Sequence, residues 1–119
     1  MAESMLILIT KSPYGLEEAF AGARLALGGK VSGIMDNSNV MLIGDGTLNA
    51  LKAQNPGAVG MPSNLEALQD IMDLDGSVYC VEPDLRHRVG DMEVLEGVKL
   101  VSWEEARDIV KAHQLVNTF

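Results

Sequence analysis

Reactive side chains in this chain gather around one cysteine. The stretch Ser77-Val78-Tyr79-Cys80-Val81-Glu82-Pro83-Asp84-Leu85-Arg86-His87-Arg88-Val89-Gly90 holds the single cysteine, one of the two histidines and two of the nine basic residues. Val78 to Val81 reads as a short buried strand, and Pro83 suits the first turn of a short helix running through Arg88. A thiol at a strand end, facing a helix N-terminus with Arg86, His87 and Arg88 within one or two turns, is a candidate nucleophile. Both influences favour the thiolate, whereas Glu82 and Asp84 oppose it. A free cysteine is also among the most commonly buried residue types, and buried thiols are usually inert packing. Local sequence leaves both readings of Cys80 standing, and His87 reads either as a solvated helix residue or as a general base.

Other chemistries find less support. Cys80, His87 and His113 lack paired metal-ligand spacing, so no metal is expected. Gly44-Asp45-Gly46 lacks the third glycine of a dinucleotide loop and the Gly-Lys-Ser/Thr ending of a P-loop, so it reads as a strand-to-helix turn and no cofactor is expected. No Gly-x-Ser-x-Gly elbow occurs, and Ser12 before Pro13 reads as a helix cap. Glu17-Glu18 and Glu104-Glu105 fall early in predicted helices, where the dipole favours them.

The elements that would position Cys80 follow from periodicity. Met5 to Thr10 is a continuous apolar run, as expected for a strand covered on both faces. Leu16, Ala19, Phe20, Ala23, Ala26 and Leu27 fall at helical spacing, with Gly28-Gly29 as the stop. Asp36 to Asn39 reads as a turn after a short extension at Val31, Ile34 and Met35. Val40 to Ile43 is a second strand, followed by a tight turn and a short helix around Leu48 to Lys52; Ala53 to Pro62 reads as loop. Ser63 with Glu66 has capping-box spacing ahead of a helical face of Leu65, Leu68, Ile71 and Met72, which ends near Asp75-Gly76. Val98 to Val101 is a further strand. Ser102 with Glu105 repeats the box before Trp103, Ala106, Ile109 and Val110, and Leu115 to Phe119 reads as a terminal strand.

Strands alternating with helices predict an α/β fold: a single-domain three-layer sandwich over residues 1–119, with a mostly parallel sheet of about five strands flanked by helices. In such sheets ligands gather at the carboxyl ends of the strands. That edge would carry Lys11-Ser12, Gly44-Asp45-Gly46, Cys80-Val81-Glu82 and Ser102.

Composition narrows the setting. Seventeen acidic against nine basic residues give a formal net charge of −8, and the basic residues are scattered, which disfavours direct nucleic-acid binding. Hydrophobic residues make up 47%, yet no apolar run approaches the ~18 residues of a spanning helix, so no membrane association is expected. The N-terminus shows no basic segment leading into an apolar one, and a lone cysteine suits a reducing compartment; a cytoplasmic protein is expected.

Three segments in order carry a family resemblance: the opening strand into Lys11-Ser12-Pro13-Tyr14, the second strand into Gly44-Asp45-Gly46, and Val78-Tyr79 followed by Glu82-Pro83-Asp84-Leu85 and Arg88. Together they resemble the DsrE/DsrF/DsrH superfamily of sulfur-relay proteins, most like the DsrH/TusB branch but with a DsrE-like cysteine position. The resemblance implies a compact α/β sandwich and homo- or hetero-oligomers. It also implies a cysteine persulfide at Cys80, received from a sulfur-donor protein and passed to an acceptor, in tRNA thiolation or a sulfur oxidation or reduction pathway. Cys80 would then be catalytic, with Arg86, His87, Arg88, Lys11, Ser12 and Asp45 stabilising the thiolate or edging the site, and the activity a sulfurtransferase or sulfur carrier. A second reading is a non-catalytic assembly or regulatory subunit of such an oligomer, with a buried, slowly alkylated Cys80. A third is a small-molecule binding domain using the Gly44-Asp45-Gly46 edge.

Overall fold

The computed structural model describes residues 4–14, 17–60 and 63–119. Five strands, β1 (Ser4–Ile9), β2 (Asn37–Leu42), β3 (Val78–Val81), β4 (Lys99–Val101) and β5 (Leu115–Thr118), form one sheet in the order β4-β3-β2-β1-β5. All four pairings are parallel. The helices are α1 (Glu18–Val31), α2 (Asn64–Asp73), α3 (Glu82–Val89) and α4 (Trp103–Lys111), and 3₁₀ turns occupy Gly44–Ala50 and Pro56–Val59. This is the α/β sandwich expected from the alternation of strands and helices.

Side-chain alternation splits each strand between two apolar layers. Met5, Ile7, Ile9, Val40, Leu42, Val78 and Cys80 pack with Ala19, Ala23 and Ala26 of α1 and Ala67, Leu68 and Ile71 of α2. Leu6, Met41, Val81 and Val101 face the other way, against Ala106, Ile109 and Val110 of α4. Each large side chain buried in these layers contributes about 2 kcal/mol through area removed from water. α4 alone cannot span its face, and an apolar groove of about 240 Å³ remains between Leu8, Met41, Ile43, Trp103 and Val110. Trp103, expected on the packed face, is 52% exposed at this groove.

Five local expectations are corrected. α1 runs through Gly28-Gly29 to Val31; a Cβ on Gly29 would sit 2.9 Å from Met5 Cε, so glycine there permits close approach of helix to sheet, and Gly33 at φ +74 follows the true end. The cap position of α1 is Glu17, so Ser12 is a loop residue; the expected start at Leu16 lies outside the described residues. The Asn37–Asn39 segment, read as a turn, is the first half of β2, because its polar groups find distant partners: Ser38 Oγ donates to Ala26 O at 2.6 Å, and Asn39 Oδ1 accepts from Ser77 N–H at 2.8 Å. Ser63 makes no side-chain cap to α2; its carbonyl and Asn64 Oδ1 instead accept from Arg24. The loop read over Ala53 to Pro62 holds the Pro56–Val59 turn, while Met61 and Pro62 lie outside the described residues.

The second capping box does form. Ser102 Oγ accepts from Glu105 N–H at 3.1 Å, and Glu105 Oε1 accepts from Ser102 N–H at 3.0 Å. Ser102→Ala is expected to cost about 1 kcal/mol, read as a lower urea midpoint with unchanged slope.

Candidate functional site

Because the strands are parallel, the segments after β1, β2, β3 and β4 emerge at one edge of the sheet. Lys11-Ser12, Gly44-Asp45-Gly46, Glu82 and Ser102 occupy those positions. Cys80 sits one residue inside the edge, paired in register with Leu42 of β2 and Leu100 of β4, and Leu42 is paired in turn with Ile9 of β1. The thiol is therefore one member of an apolar row across the sheet. Ala50 of the 3₁₀ turn and Leu85 of α3 join the same cluster, and Cys80 is 0% exposed.

Burial has an electrostatic consequence. Removing water from the thiol disfavours its ionised form and pushes its pKa from an ordinary 9.0 up to about 12. Arg86 works against that rise, and Asp84 and Glu82 add to it. Arg86 is itself engaged: it pairs with Glu82 at 3.5 Å and donates to Gly90 O at 2.9 Å and Met92 O at 3.2 Å. Its main structural work is closing the C-terminal end of α3.

α3 is tied to the Gly44–Ala50 turn by polar contacts. Asp84 Oδ2 accepts from Gly44 N–H at 2.8 Å, and Arg88 Nε donates to Asp45 Oδ1 at 2.9 Å while its Nη1 donates to Asp84 O at 3.1 Å. Of the other residues singled out from sequence, His87 is exposed and has no hydrogen bond or ion pair among the described residues, Lys11 is exposed, and Ser12 is half-buried. The fold thus brings Asp45, Arg88 and Asp84 together and leaves Arg86 as the cation whose charge acts on the thiol, while His87 stays in solvent.

Two polar networks escaped the sequence reading. Asn49, 1% exposed, donates from Nδ2 to Lys11 O and Gly46 O, both at 2.9 Å, and accepts at Oδ1 from Asn64 Nδ2 at 3.0 Å. Arg24 donates to Asn64 Oδ1 at 2.8 Å and stacks on Phe20 at 3.7 Å, which extends the network to α1, and the Asn49–Lys11 bond fixes the loop after β1 to the turn after β2. At the opposite edge His113 Nδ1 donates to Ile109 O at 2.7 Å, which leaves Nε2 to accept from Asn39 Nδ2 at 2.8 Å. Asparagines that serve turns and asparagines that serve networks look alike in sequence, since the partners lie tens of residues away.

Among the described residues no group of three or more His, Cys, Asp or Glu stands together as a metal site, and no helix is long and apolar enough to cross a membrane.

A parallel five-strand sheet with a cysteine beside a strand-to-helix junction places the chain among small α/β proteins. The chain belongs to the DsrE/DsrF-like family, whose model matches residues 3–117. It is 33% identical over 114 residues to the uncharacterized protein MJ0989 of Methanocaldococcus jannaschii, covering 95% of this chain and 96% of that one. It is 31% identical over 106 residues to the uncharacterized protein MK0008 of Methanopyrus kandleri, covering 88% and 84%. Its fold matches the crystal structure of the YchN protein of E. coli with a TM-score of 0.83, at 21% identity over 98% of this chain and 99% of that one. The fold also matches a protein of unknown function, BT1422, of Bacteroides thetaiotaomicron, at 0.66, with 14% identity over 97% and 94%. The family suggests a sulfur-relay-type role, and its members typically act in complexes.

Proposed function

We propose that the protein is a sulfur carrier in which Cys80 holds sulfane sulfur as a persulfide. The observation behind this reading is the placement of the only cysteine near the carboxyl end of an interior parallel strand, with α3 starting two residues later. The step is an exchange: the Cys80 thiolate attacks the terminal sulfur of a donor persulfide, the donor S–S bond breaks, the donor leaves as a thiolate, and Cys80–S–SH forms. Attack by an acceptor thiolate on that terminal sulfur reverses the sequence and returns the Cys80 thiolate. No net oxidant is consumed. Arg86 is the cation nearest in effect to the thiolate, and Lys11, Ser12, Asp45, His87 and Arg88 edge the approach. Donor and acceptor are proteins, the carrier works within a homo- or hetero-oligomer in the cytoplasm, and the sulfur goes to tRNA thiolation or to a sulfur oxidation or reduction pathway.

Incubation with inorganic polysulfide followed by intact-mass measurement tests this. A gain of one sulfur atom, removed by reductant and absent from Cys80→Ser, is expected. No gain, or a gain that survives the substitution, rules the reading out.

The second reading, a non-catalytic assembly or regulatory subunit, is favoured by the complete burial of Cys80 and by the open groove at Trp103. It predicts no sulfur uptake and a change of oligomeric state on Trp103→Glu.

A further inference from the structure

We propose that the contact between α3 and the Gly44–Ala50 turn is a latch, and that its release is the motion that exposes Cys80. The proposal rests on Cys80 as the sulfur carrier, because exchange requires sulfur to touch sulfur and a residue with 0% exposure admits no incoming sulfur. Some neighbouring element has to move. β2 and β4 are held by the sheet ladder on either side. α1 and α2 each bury several side chains against the same layer. α3 fully buries only Leu85, with Val89 partly buried against the same layer. An element with so little apolar anchorage opens at lower cost than one with several buried side chains, well before the whole chain unfolds.

The ends of α3 suit such a motion. Its N-terminus has no side-chain cap and carries Pro83, which lacks an N–H, and its C-terminus passes into Gly90 at φ +62. Opposite it, Gly44 at φ +56 begins a 3₁₀ turn, whose hydrogen bonds are poorer than those of an α-helix. What holds α3 to that turn, besides Leu85, is the Asp84 acceptance of the Gly44 N–H and the Arg88–Asp45 pair. The Asp45 side chain in that pair is 65% exposed, and an exposed ion pair is weak and screened by salt. A contact of that kind releases and re-forms readily, and a partner carboxylate could compete for Arg88.

The latch is tested on the thiol alone, by the iodoacetamide reaction rate of native full-length protein carrying Asp45→Asn or Arg88→Gln, with urea unfolding measured alongside. Each substitution is expected to speed alkylation roughly two- to fivefold, with little further gain in the double variant, because both remove the same contact. The pH profile should keep its position, since neither residue is among the charges that set the thiol's acidity. Wild-type rates should rise with added salt. Rates equal to wild type in both variants would overturn the latch. So would wild-type alkylation whose urea dependence matches that of global unfolding, since Cys80 would then be exposed only by loss of the fold. Polysulfide loading separates this proposal from the one beneath it. Faster alkylation with no sulfur uptake keeps the latch and removes the carrier; uptake at one rate in all variants keeps the carrier and removes the latch.

Discussion

Replacing Gly46 with alanine is expected to be the most damaging single-methyl addition among the described glycines. A Cβ at that position would fall well inside the radius of the Ile9 carbonyl oxygen and 2.6 Å from the carbonyl carbon. The obstacle is backbone, so no side-chain rotation relieves it. The Ile9 carbonyl is also engaged with Ile43 N–H at 3.1 Å, and Gly46 N–H donates to Ile43 O at 2.8 Å, so a shift of either segment breaks the join between the ends of β1 and β2. A loss of about 4 kcal/mol or more is expected, a fall in thermal midpoint on the order of 15 °C. Gly28→Ala is the control: it lies inside α1 with nothing within 4 Å of an added Cβ, and it should stabilise by about 0.5–1 kcal/mol. Equal midpoints for the two variants would show that the turn does not approach β1 this closely.

The second large effect is alkaline. The folded Cys80 thiol titrates at about 12 against an ordinary 9.0, so between those values the unfolded chain has released a proton that the folded chain still holds. Stability therefore falls as pH rises through this window, is fully retained below about 9, and levels off above about 12. The whole loss is on the order of 4 kcal/mol. Cys80→Ala removes the titration, so its urea midpoints should converge on or pass those of wild type between pH 9 and 11, while the two run parallel at pH 7 to 8. Parallel behaviour to pH 11 would mean that the thiol is solvated. Burial should also make iodoacetamide react far more slowly at pH 8 with native protein than with the urea-unfolded chain.

The frame of the fold was legible because buried parallel strands are apolar runs. Met5 to Ile9 and Val78 to Val81 announce themselves without partners, and so does the Ser102–Glu105 box, whose two members bond to each other. Features that depend on remote partners were not legible. Ser63 and Glu66 have the same spacing as Ser102 and Glu105, but Arg24, about forty residues away, takes the Ser63 carbonyl and the Asn64 side chain instead. Asn37-Ser38-Asn39 looks like a turn until Ala26 O and Ser77 N–H are supplied across the fold. Around Cys80 the signs of the charges were readable, Arg86 lowering and Glu82 and Asp84 raising. The largest influence, desolvation under Ala50 and Leu85, belongs to the packed core and has no local signature. Asp84 likewise read only as a charge near the thiol, and its hold on the Gly44 N–H emerged with the turn.

Ile9, Leu42, Cys80 and Leu100 stand side by side in one row across the sheet. A side chain that fills its place in a close-packed layer leaves no spare volume, and extra atoms there cost energy through displaced neighbours. On the carrier reading, the added sulfur is such an insertion, a wedge beneath α3, which fully buries only Leu85. Empty and loaded chains then differ in outline as well as in mass, and a partner that touches only the outer surface of α3 can distinguish a full carrier from a spent one without contacting the sulfur.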